Sequence, residues 1–114
     1  MYTGDGMPVV NEIEVTELHE LINNTQKRIE IYDVRSTHEM SNGTIPEAQH
    51  MPLHTIPSKV IDLTDKYPIV LYCYMGTRSV QACRYLQNAG FENVFTLRGG
   101  FQAWQSSGLL DLDV

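Results

Sequence analysis

The segment Pro68-Ile69-Val70-Leu71-Tyr72 is apolar without alternation, the pattern of a strand buried on both faces inside a parallel sheet covered by helices. Two further runs read as strands, one over residues 29–34 and one over residues 94–97. Between them the period changes. Leu18, Leu21 and Ile22 share one stripe of a helix that Thr16 would cap and that closes before Asn23-Asn24-Thr25. After Arg35 the chain is polar, with one helical turn expected over residues 37–40, an extended piece over 48–51 following Ile45-Pro46, and a short helix over 57–63. A longer helix is predicted over residues 79–89, stopped by Gly90 in a left-handed conformation, and a closing helix begins at Phe101 and carries Trp104. The first few residues read as frayed. Strands alternating with helices predict an α/β fold whose central, mainly parallel sheet is flanked by helices on both faces.

Proline and glycine punctuate short elements instead of marking a linker, and no repeat or low-complexity tract is present. The 114 residues therefore predict one domain over 1–114, with its packed core from about 8 to 108. An apolar fraction of 42% and a charged fraction of 19% suit an ordinary globular protein, and no stretch approaches the ~20 apolar residues of a membrane span. Met1-Tyr2-Thr3-Gly4-Asp5-Gly6 lacks the basic and apolar regions of a signal peptide, so a cytoplasmic location is expected. Eight Lys and Arg against fourteen Asp and Glu give a net charge of −6, which argues against nucleic acid as a partner. Two cysteines ten residues apart make neither a disulfide scaffold nor a zinc motif, and His19, His38, His50 and His54 show no metal spacing.

The chemistry concentrates where the buried strand ends. Cys73 follows it, then Tyr74, Met75, Gly76 and Thr77, then Arg78 and Ser79 at the start of a helix. A helix N-terminus offers unpaired N–H groups and a positive dipole end, and Arg78 adds a cation. Such surroundings lower a cysteine pKa from about 8.5 toward ~3.5–7.5 and make Cys73 a nucleophile. Gly76 permits the tight curvature, and the N–H groups of residues 74–78 can converge on a thiolate or on a persulfide anion. Ser79 reads first as the cap of the helix and second as a hydrogen-bond partner of the sulfur. Asp33 and Arg35, at the end of the strand over 29–34, are placed beside the loop, because a carboxylate touching Cys73 would oppose its ionisation. Arg35 is expected to pair with Glu39 near the surface, contributing only ~0–1 kcal/mol. Cys83 and Trp104 read as core residues, and Gly99-Gly100 as a turn that brings backbone close to the site.

These segments together resemble the rhodanese family of sulfurtransferases. Asp33-Val34-Arg35 with Glu39 is similar to the family's early acidic-aliphatic-Arg motif, and Gly43-Thr44-Ile45-Pro46-Glu47-Ala48 to its Gly-His-Ile-Pro-Gly-Ala segment. Residues 73–79 resemble the active-site loop, and Gly90-Phe91, Val94, Gly99-Gly100 and Trp104 the closing pattern. The resemblance implies ping-pong transfer of a sulfane sulfur through a Cys73 persulfide, from thiosulfate, a polysulfide or a protein persulfide to cyanide or a thiol, with no metal or organic cofactor. Thr44 in place of histidine, Glu47 in place of glycine, and the aromatic and apolar Tyr74 and Met75 depart from the pattern and imply weak thiosulfate affinity. A phosphatase or arsenate reductase, and a persulfide carrier or redox-regulated binding module, are the alternatives. Related phosphatases carry one residue more between cysteine and arginine than the four found here.

Overall fold

The computed structural model describes residues 9–108. Five strands form one sheet: β1 (Asn11–Ile13), β2 (Glu30–Asp33), β3 (Gln49–His50), β4 (Ile69–Tyr72) and β5 (Val94–Leu97). Their spatial order is β1-β5-β4-β2-β3, and every pairing is parallel. β4 lies in the middle, with Ile69 and Asp33's partner Tyr72 aligning it along β2, and Ile69 also facing Val94 of β5. The unbroken apolar run follows from that position. Ile69 and Leu71 enter one core and Val70 and Tyr72 the other, as the period of two in a strand requires.

Helices cover both faces. α1 (Val15–Asn23) and α5 (Gly100–Ser106) bury Leu18, Phe101 and Trp104 with Val70 and Tyr72. On the opposite face α3 (Ile56–Lys59) and α4 (Thr77–Asn88) bury Ile56, Ala82, Cys83 and Leu86 with Ile69 and Leu71. Each such fully buried aliphatic side chain contributes about 1.5–3 kcal/mol. The single turn α2 (Thr37–Met40) follows β2 and is closed by a capping box in which Ser36 and Glu39 exchange hydrogen bonds. No described helix is long and apolar enough to cross a membrane.

Several local expectations are corrected. β1 had no reading in the sequence, since only Ile13 of its three residues is buried. Glu14, not Thr16, precedes the first helix, its N–H accepted by Glu17 Oε1 at 3.1 Å, and the helix runs on through Asn23. The short helix expected over 57–63 is instead the single turn α3 over Ile56–Lys59, flanked by the 3-10 turns Leu53–Thr55 and Val60–Asp62. The sheet is parallel throughout the described residues instead of mainly so. The frayed start expected for the first few residues lies outside the described residues.

The topology also fixes where a site can form. From β2 the chain moves outward to β3, and from β4 it moves the other way to β5. The two segments leaving the carboxyl ends of these adjacent strands therefore diverge and open a crevice, the position at which open α/β sheets bind ligands.

Candidate active site

Cys73 continues the alternation of Ile69 and Leu71, so its thiol points toward α4 and is only 1% exposed. The loop then turns under it. Gly76 has φ +106, and a Cβ there would meet no atom within 4 Å, so the glycine is required by backbone conformation and not by space. In that conformation the Gly76 N–H donates to Cys73 Sγ at 3.0 Å. Gly76 also occupies the cap position of α4, which corrects the expectation for Ser79. Ser79 lies inside the first turn, fully buried, with its hydroxyl 3.6 Å from Cys73 Sγ, 3.2 Å from the Gly76 carbonyl and 2.6 Å from Thr96 Oγ1. Burial opposes ionisation of Cys73, but hydrogen bonds from the Ser79 hydroxyl and from the N–H groups of Ser79, Gly76 and Arg78 outweigh it and hold the thiol below its ordinary value. Cys83 has no such donors. Burial alone pushes its thiol up to about 12, consistent with a packing role.

A second contact fixes the loop from below. The Phe101 N–H donates to the Cys73 carbonyl at 2.8 Å and the Gln102 N–H to the Tyr74 carbonyl at 3.0 Å. This approach needs Gly100, where a Cβ would stand 2.5 Å from the Tyr74 oxygen and 2.6 Å from that of Cys73. The expected close passage at Gly99-Gly100 is thus present.

Above Cys73 opens a hollow of about 240 Å³ lined by Glu39, Cys73, Tyr74, Met75, Thr77 and Arg78. Tyr74 and Met75 present 40% and 65% of their surface to solvent, as an aromatic and apolar rim. Arg78 bridges the crevice to Glu39 in a two-pronged ion pair, Nη1 to Oε1 at 2.5 Å and Nη2 to Oε2 at 2.7 Å. The pair, with Arg78's hydrogen bond as the main cause, lowers the Glu39 carboxyl to about 2. The expected Arg35–Glu39 side-chain pair does not form. Arg35 instead grips Asp33, Nε to Oδ1 at 3.0 Å and Nη2 to Oδ2 at 2.7 Å, with Arg35 2% and Asp33 0% exposed. Its guanidinium lies 4.4 Å over the Phe101 ring and donates to the Gly43 carbonyl at 2.7 Å, tying the polar loop after β2 to α5.

Two participants were missed in the sequence as members of this site: Glu39, assigned to the wrong arginine, and Thr96. The only signal for Thr96 was a hydroxyl residue within the otherwise apolar Val94-Phe95-Thr96-Leu97. Among the described residues no group of three or more His, Cys, Asp or Glu is arranged to hold a metal ion.

A parallel sheet with a cysteine thiol cradled at the carboxyl end of its middle strand is the arrangement of a family of known description. The profile of the rhodanese-like domain matches residues 14–107, and the chain belongs to the rhodanese family. A sulfurtransferase of Allochromatium vinosum is 38% identical over 101 residues, covering 89% of this chain and 94% of that protein. The thiosulfate sulfurtransferase GlpE of Stutzerimonas stutzeri is 34% identical, covering 73% of this chain and 76% of its own length. Among solved structures, a rhodanese-like domain protein of Staphylococcus aureus superposes with a TM-score of 0.77 at 29% identity, covering 83% of this chain and 91% of that one.

Proposed function

We propose that this protein is a sulfurtransferase whose Cys73 thiolate attacks the outer sulfur of a donor and carries it as a persulfide. The observation that carries the reading is the cradle of Gly76, Arg78 and Ser79 donors around a buried thiol held below its ordinary pKa. With thiosulfate, the new S–S bond forms as the S–S bond of the donor breaks and sulfite departs with the electron pair. With an alkyl persulfide, a thiol departs instead. In the second half-reaction cyanide or a thiol attacks the terminal sulfur, and Cys73 leaves as the thiolate that the same donors stabilise. Thiosulfate or a persulfide is the proposed donor class, and the sulfurtransferases at 34–38% identity support it. The four-residue spacing from Cys73 to Arg78 suits a single sulfur atom better than a tetrahedral oxyanion, which supports sulfur over phosphate chemistry.

Mass measurement of the protein incubated with thiosulfate, or with an organic sulfane-sulfur donor, tests the reading. The expected result is one added sulfur that cyanide removes and that Cys73→Ser never acquires. Absence of an adduct with every donor, alongside Cys73-dependent hydrolysis of an aryl phosphate, would overturn it.

A further inference from the structure

Among the described residues a single cation, Arg78, lines the hollow over Cys73, and that cation is already engaged. Glu39 meets it with both oxygens and is itself held by the Ser36 N–H and hydroxyl, each 3.1 Å from Oε1. Two of the five guanidinium N–H groups therefore point at a carboxylate inside the hollow. Arg78 from α4 and Glu39 from α2 cancel in charge, which leaves the Cys73 thiolate uncompensated by a side chain, and the remainder of the rim is Tyr74, Met75 and Thr77. A doubly charged donor entering here loses hydration, meets the Glu39 carboxylate, and finds the planar fork of Arg78 occupied. A donor with one charge or none meets less repulsion, and a carbon-bearing end can cover the exposed faces of Tyr74 and Met75.

We propose that Glu39 is a specificity-determining residue of this site: by holding Arg78 it disfavours dianionic sulfur donors and directs the protein toward organic sulfane-sulfur donors. The proposal rests on the sulfur-transfer reading above and assigns its donor class. In each case the chemistry is the same displacement, with the Cys73 thiolate forming the new S–S bond and the donor's inner group departing with the electrons, as sulfite from thiosulfate or as methanesulfinate from methanethiosulfonate. These two donors are close in reacting geometry and differ by one negative charge.

The test compares kcat/KM for thiosulfate and for methanethiosulfonate in the native protein, in Glu39→Gln and in Glu39→Ser. Both donors are assayed on one preparation, so a misfolded fraction cancels from their ratio. The expected result is a thiosulfate-to-methanethiosulfonate ratio that rises about tenfold in the variants, chiefly through a lower KM for thiosulfate, the effect of one freed charge-assisted hydrogen bond. A ratio that stays the same or falls, or loss of both activities in both variants, would overturn the proposal and make the ion pair a scaffold. A native protein that accepts sulfur from neither donor would instead sink the sulfur-transfer reading itself.

Discussion

Ser79 and Thr96 join α4 to β5 through their hydroxyl oxygens, 2.6 Å apart and both buried. The relationship matters because Ser79 has a single hydroxyl proton and faces three acceptors. While Cys73 is protonated, its S–H can donate to Ser79 Oγ and Ser79 can donate to the Gly76 carbonyl. Once Cys73 ionises, the Ser79 proton is needed at the sulfur, and Thr96 can donate into the Ser79 oxygen behind it.

Thr96→Val should therefore raise the Cys73 thiol pKa although residue 96 does not touch the sulfur. Titratable neighbours offer no substitute, because Arg78 and Glu39 pair with each other and Cys83 is protonated at neutral pH. The rate of iodoacetamide alkylation against pH should shift its midpoint upward by about half to one unit, the equivalent of a typical hydrogen bond, and Thr96→Ser should restore it. An unchanged midpoint would show that the Ser79 hydroxyl orients itself without help.

Asp33→Asn should destabilise the fold by about 3–5 kcal/mol, because it leaves the Arg35 guanidinium buried without its counter-charge. Urea unfolding measures this. Replacing the pair together, as Asp33→Asn with Arg35→Met, should recover part of the loss; no recovery would mean that the contacts of Arg35 with Gly43 and Phe101 dominate.

Glu47 is the one described non-glycine residue with positive φ, at +69, and it stands where the resembled motif carries glycine. Its left-handed backbone is strained by a Cβ. Glu47→Gly should raise stability by about 0.5–1 kcal/mol, the relief exceeding the added freedom of the unfolded chain. A lower midpoint of thermal unfolding would count against this strain.

The acid limb of stability should reflect Glu39. Its folded pKa of about 2 lies below the ordinary 4.5, so the pair's contribution is complete above about 4.5 and is lost as pH falls toward 2. Both side chains are partly exposed, which keeps the contribution modest and salt-sensitive. Glu39→Gln should flatten the loss of stability between those pH values; an identical acid limb would assign it to other carboxylates.

The sequence made the frame legible because β4 is buried on both faces and its apolar run therefore has no alternation. The loop was legible for a related reason: a cysteine and a glycine between a strand and a helix leave few conformations. β1 escaped because an exposed edge strand of three residues carries almost no pattern. The helix cap was misassigned because a φ of +106 at Gly76 cannot be seen in composition. Arg35's partner, by contrast, was accessible. Residues two apart at a strand end project to the same side, which favours Asp33 over Glu39. The Glu39–Arg78 contact joins residues 39 positions apart on α2 and α4, and the pairing of β2 with β4, whose carboxyl ends lead into those two helices, brings them together.

The clamp at Gly100 bears on how readily this protein can acquire new preferences. The curvature beneath Cys73 is held by main-chain groups, the Gly76 N–H on the sulfur and the Phe101 and Gln102 N–H groups on the carbonyls of Cys73 and Tyr74. Side chains at 74, 75 and 77 line the opening without building the cradle. On the sulfur-transfer reading proposed above, variation there can explore new donors while the reactive geometry is inherited unchanged, so the scaffold separates the evolution of what it accepts from the preservation of how it reacts.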